Sequence, residues 1–128
     1  MPPTNVYFFR ESTGDAPVLD WLRNLRRRDS RAYAKCAAAI HELAARGHEL
    51  RRPLADYIVA GIHELRVRVR RQNYRVLYFF HGRDVAILVH GLTKEDRLPR
   101  RDIERALQRK RTFEGSPDLH TYEEELDA

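Results

Sequence analysis

Residues 64–70 alternate without a break: Glu64, Arg66, Arg68 and Arg70 against Leu65, Val67 and Val69. Neighbouring side chains of an extended chain point to opposite faces, so this pattern sorts into an apolar face and a charged one. Such a segment belongs in a sheet that is buried behind and open in front. On the open face, guanidinium groups recur at intervals of roughly 7 Å. Guanidinium forks stay charged and grip phosphate oxygens in pairs, so ordered arginines on a sheet suit a polyanion. The expected strands are 61–70, 74–81 and 84–91, joined at 71–73 and 82–83 into an antiparallel meander.

Ahead of the meander, residues 5–10 have the composition of a strand. Asp15 is placed to cap a helix, with Pro17 in its first turn. Val18, Trp21, Leu22 and Leu25 then share one face. Asp29 or Ser30 opens a second helix, whose stripe is Tyr33, Cys36, Ala37, Ile40, Leu43 and Ala44 and whose end is Gly47. The short link predicts an antiparallel helix pair. Residues 48–57, with Arg51, Arg52 and Pro53, are expected to be loop. Pro99 starts a third helix, with Ile103, Ala106, Leu107 and the stem of Lys110 facing inward. The predicted fold is α+β: an N-terminal strand, a two-helix hairpin, a three-stranded antiparallel meander and a C-terminal helix, with the helices on one face. Residues 1–113 are expected to form one domain and 114–128 a mobile acidic tail.

Charge separates these two parts. Residues 114–128 hold six acids and no Lys or Arg, while the 24 basic residues and remaining 13 acids of the body leave it at +11. Such a body should attract polyanions, and the tail is expected either to fold back weakly over its basic face or to serve as a solubilising tail without contacts. Cys36 is the only cysteine, which leaves no intramolecular disulfide and no cysteine-based zinc site and fits a reducing cytoplasm. The six histidines offer no close pair at helical spacing. No Gly-rich phosphate loop or nucleophile elbow is present. No apolar run approaches membrane-spanning length, and the first residues lack the pattern of a secretory signal.

Four segments, in order, carry a family resemblance: Gly-Ile-His-Glu-Leu-Arg (61–66), Tyr-Arg-Val-Leu-Tyr-Phe (74–79), His-Gly-Leu-Thr-Lys (90–94), and Pro99 ahead of Ile103-Glu104-Arg105-Ala106-Leu107. With the element order, they make about residues 5–112 similar to the RelE/ParE toxin superfamily, and within it to the HigB-like, phage-related branch. The resemblance implies a RelE-like fold and the toxin of a type II toxin–antitoxin pair. Such toxins are metal-independent mRNA endoribonucleases (mRNA interferases), ribosome-dependent or free; a ParE-like minority instead poisons DNA gyrase. The implied partners are mRNA, the ribosome and a small helix-turn-helix antitoxin. The implied setting is cytoplasmic, with no membrane and no cofactor.

RNA can be cut without metal when its 2′-hydroxyl attacks the adjacent phosphate and the 5′ oxygen leaves. A protein must then take the 2′ proton, stabilise the crowded phosphorane and protonate the leaving oxygen. By resemblance, Arg66, Arg75 and Lys94 are the expected catalytic residues. Arg66 stands where the family's base or cation falls, and Arg75 matches its strand arginine. Arg75 is also placed to pair with Glu64 across the hairpin. Lys94 matches a basic residue after the last strand. Glu95 replaces a second lysine there and Leu92 the usual aromatic, so Arg97 is expected to cover the second cation. Arg68, Arg70 and Arg97 are the expected RNA contacts. The proton acceptor is expected to be Glu64 or His90, the latter otherwise capping a backbone group at a strand end. His63 shares parity with Leu65 and Val67, and Tyr74 and Tyr78 with Val76. All three are expected in or beside the core rather than stacked on bases. A gyrase poison needs no convergent cations, so Arg66, Arg75 and Lys94 on one face favour the nuclease over that alternative.

Overall fold

The computed structural model describes residues 3–94 and 97–127, apart from the side chain of Lys94. In chain order the elements are β1 (Asn5–Phe9), α1 (Pro17–Arg28), α2 (Ser30–Arg46), β2 (Ala55–Val59), β3 (Ile62–Val69), β4 (Gln72–Phe80), β5 (Val85–Lys94), α3 (Arg100–Gly115) and β6 (Thr121–Tyr122). The strands form one sheet in the order β2-β3-β4-β5-β1-β6. β1 runs parallel to β5, and every other pairing is antiparallel. The result is a mixed α+β fold with a six-stranded sheet and three α-helices.

The helices lie on both faces of the sheet, contrary to the sequence reading, which placed them on one. β4 carries Val76 and Tyr78 on one side and Leu77 and Phe79 on the other, and all four are buried. A strand apolar on both sides needs cover on both. The α1/α2 hairpin supplies one cover, where Leu22, Ile40 and Leu43 join Leu65, Val76 and Leu88. α3 supplies the other, where Ala106 and Phe113 join Leu77, Phe79, Ile87 and Val89. α3 reaches the start of β3 at Ile62 but leaves its arginine end open, with Arg66 and Arg68 exposed.

Local chemistry explains the boundaries. The Asp29 carboxylate accepts a bond from the Ala32 amide and caps α2. Ala16, not Asp15, holds the N-cap position of α1, without a side-chain cap, and Pro17 follows in the first turn. Gly47, at φ +53°, ends α2. β2 begins within the stretch 48–57 expected to be loop and runs two residues past it. It pairs with β3 through a tight turn in which Ala60 and Gly61 both have positive φ, as a type I′ hairpin requires.

The acidic C-terminal segment also differs from expectation. Instead of crossing the arginine face, β6 pairs with β1 at the opposite edge of the sheet, Phe8 to Tyr122 and Phe9 to Thr121. His120 is buried, its ring stacked on Phe9 at 5.5 Å. Glu124 lies 3.0 Å from Arg23 and Asp127 3.6 Å from Arg26, both on α1. Leu126 packs against the α1/α2 core. The segment therefore has apolar anchors and arginine partners on α1 that a reading of its charge alone overlooks.

Candidate active site

Strand register arranges the polar face of β2–β5 in rows. One row runs Asp56, Glu64, Leu77, His90; the next runs Arg66, Arg75, Leu92; the third runs Arg68, Asn73, Lys94. Adjacent strands lie about 4.8 Å apart and alternate residues about 7 Å, so Glu64, Arg66 and Arg75 are immediate neighbours.

Glu64 is the centre of this grid. It is 5% exposed, with Arg75 Nε 3.2 Å from Oε1 and Arg66 Nε 3.8 Å from Oε2. The two arginines differ: the Arg75 side chain is 6% exposed and that of Arg66 45%. Arg75 is therefore a buried partner that holds the carboxylate, and Arg66 is a cation presented to solvent. Burial pushes the Glu64 carboxyl up from its ordinary value, outweighing the pull of Arg75 and Arg66. A carboxyl moved that way is a better proton acceptor near neutrality than an ordinary one.

Arg66 also lines a groove of about 460 Å³, together with Arg52, Pro53, Leu54, Arg68 and Asn73. Arg52 bridges to Asp56 at 3.0 Å, and that hydrogen bond holds the Asp56 carboxyl below its usual value. Arg68 Nε donates to the Arg70 carbonyl at 3.3 Å. Three guanidiniums thus rim a groove, and one of them, Arg66, lies 3.8 Å from the buried Glu64 carboxylate, an arrangement able to seat a phosphate beside a proton acceptor.

The other expected site residues divide. The backbone of Lys94 ends the Arg68–Asn73 row, and its side chain lies outside the described residues. Arg70 leaves the face. It sits in the β3–β4 turn at φ +57°, so strand alternation no longer governs it, and its guanidinium pairs with Asp29 at 2.9 Å. Arg97 is exposed in the loop before α3. His90 shares a row with Glu64 but lies beyond Leu77 and under α3. Its Nε2 donates to Asp102 at 2.6 Å, and Arg109 donates to its Nδ1 at 3.0 Å. Arg109 also donates to the Val89 carbonyl at 2.7 Å. Both ring nitrogens are engaged, and burial draws the imidazole below its ordinary value. This geometry makes His90 a clamp for α3. Tyr74 and Tyr78 are buried, and His63 stacks on Tyr78 at the core edge.

Sequence reasoning missed Arg52 and Asp56 as site residues because β2 was not recognised. It also missed Asp102 and Arg109, a polar pair within the stripe of α3. The signal for that pair was their seven-residue spacing, which puts both on the face that carries Ala106.

The fold and site define a small α+β protein with a cationic sheet face around a buried carboxylate. The chain belongs to the phage-derived protein Gp49-like family (DUF891), a RelE-like toxin family, whose model matches residues 20–111. That span includes every residue of the three rows. No curated protein matches the chain.

Proposed function

We propose that the protein is the toxin of a type II toxin–antitoxin pair, and that it cleaves mRNA, on the ribosome, without a metal. The observation carrying this reading is Glu64, buried against Arg75 and Arg66, with Arg66 in turn lining a groove rimmed by Arg52 and Arg68. In the proposed reaction Glu64 takes the 2′ proton, a bond forms from O2′ to phosphorus, and the bond to O5′ breaks. Arg66 neutralises the phosphorane, with Arg68 and Arg52 on the flanking phosphates. Arg75 orients Glu64. Lys94, whose row leads into the groove, is the proposed proton donor to the leaving oxygen. The products are a 2′,3′-cyclic phosphate and a 5′-hydroxyl.

The test is expression of the chain alone, followed by primer extension on cellular transcripts. Discrete new 5′ ends within reading frames, carrying hydroxyls, are expected with growth arrest. Intact mRNA with accumulating DNA breaks would point instead to gyrase. Co-purification from the native host is expected to recover a small helix-turn-helix antitoxin.

A further inference from the structure

On the opposite face of the sheet, beyond the end of α2, the helical cover stops and a set of rings is left open. Register puts Tyr57, His63 and Tyr78 in one row across β2, β3 and β4. His63 lies 5.1 Å from Tyr57, edge to face, and 5.2 Å from Phe80. His48 stacks on Phe80 at 3.7 Å and is held by the Arg83 carbonyl at 3.1 Å. Tyr78 is buried, but Tyr57 is 56% exposed and His63 half-buried, so ring surface faces outward. These rings line a cavity of about 340 Å³, and Arg51 and Arg52 stand on its wall.

A cavity combining flat rings with guanidiniums has the chemistry of a nucleotide site: rings stack on the base, and cations meet its phosphate. A cavity of that size falls in the range that holds a small ligand. Burial and the neighbouring His48 hold the His63 imidazole below its ordinary value, which favours a neutral ring that can stack. The cavity and the groove share one lining residue, Arg52, which stands just ahead of β2, the edge strand of the sheet. A single strand can therefore pass from one face to the other around β2 without meeting another element of the sheet.

We propose that single-stranded RNA leaving the arginine groove turns round β2 past Arg52 and seats one unpaired base in the Tyr57–His63–Phe80 cavity. This extends the RNA-cleavage reading and rests on it: the groove takes the scissile phosphate, and the cavity holds a base a few nucleotides away. The cavity then sets the minimum length of RNA that binds well.

The probes are 2′-O-methyl oligouridylates of about five and ten nucleotides, which cannot be cleaved, carrying 2-aminopurine at one end or the other. Wild-type protein is expected to bind the longer probe at least about tenfold more tightly, the contribution of one stacked base, and to quench 2-aminopurine at one end only. Tyr57→Ala should erase the length advantage and the quenching while leaving the short probe unaffected. Tyr57→Phe separates stacking from structure, because the Tyr57 hydroxyl accepts the Gly61 amide at 3.0 Å in the β2–β3 turn. Retention of the length advantage by Tyr57→Phe is expected from a stacking role; its loss would assign Tyr57 to the turn and overturn the proposal. Equal binding of both probes by wild type, with Arg66→Ala weakening each, would sink the cavity and keep the groove. Binding of neither probe by wild type would remove the groove and the cavity together.

Discussion

Arg66 and Arg75 face each other across β3 and β4, yet truncating them should have different consequences. Arg66 is largely in solvent, so Arg66→Ala should remove RNA cleavage at a stability cost of no more than about 0.5 kcal/mol. Arg75 is buried against Glu64, and its loss leaves a carboxylate without its main counter-charge. Arg75→Ala should therefore cost roughly 3 kcal/mol, the low end for a broken buried pair, because Glu64 can take up a proton. The sequence reading placed both on the open face alike; urea denaturation of the two variants separates them. Glu64 adds a pH signature. Its folded carboxyl holds a proton more tightly than the unfolded one, so its contribution to stability is present below about 4.5 and is lost as pH rises through the raised value. Cleavage should rise with pH over that same limb, as the base ionises. Glu64→Gln keeps the neutral shape at every pH. It should abolish cleavage and show a urea midpoint that no longer falls across that window. A Gln variant that still cleaves would dismiss Glu64 as the base. Alternation alone placed Glu64, Arg66 and Arg68 correctly on one face. Their unequal burial was not legible, because it depends on how far α3 reaches across the sheet.

At the scale of elements, the arginine strand and its partners were legible because their periodicity is strict and their turns short. β2 was not. Ala55–Val59 is brief, carries Asp56 and follows Arg-Arg-Pro, and only pairing with β3 makes it a strand. Arg70 failed for a related reason: the alternation runs one residue past the strand into a turn with positive φ, where parity no longer sets direction. Gly91 shows an element contact that sequence spacing hid. It lies inside β5, and a Cβ there would meet Trp21 Cδ2 of α1 at 2.5 Å. The missing side chain lets the α1 indole lie against the strand. Gly91→Val should push Trp21 away and cost about 1–3 kcal/mol by overpacking. The expected readout is a lower urea midpoint together with a shift in Trp21 fluorescence, Trp21 being the sole tryptophan. An unchanged midpoint would mean that α1 is free to slide outward on β5.

For the whole molecule, the question is how an acidic segment lives beside a body of opposite sign. The charge count was plain in the sequence, but a count does not say which cations are nearest. Chain geometry decides: Phe113 near the end of α3 shares a cluster with Phe9, and the following turn delivers His120 onto the Phe9 ring and β6 onto the free edge of β1. From there Glu124 and Asp127 meet Arg23 and Arg26 rather than the groove. In the sheet, β6 stands four strands from β3, on the order of 19 Å. That is more than twice the Debye length of ~8 Å at physiological ionic strength, so the segment should screen the groove little. Truncation after Phe113 removes the β6 pairing, the His120 stack and the Leu126 contact. The shortened protein should therefore melt at a lower temperature, while its affinity for a short, uncleavable oligouridylate at physiological salt stays within about twofold of the full chain. Tighter RNA binding by the truncated form at that salt, with an unchanged melting temperature, would show that the acidic segment leaves β1 in solution and competes for the groove.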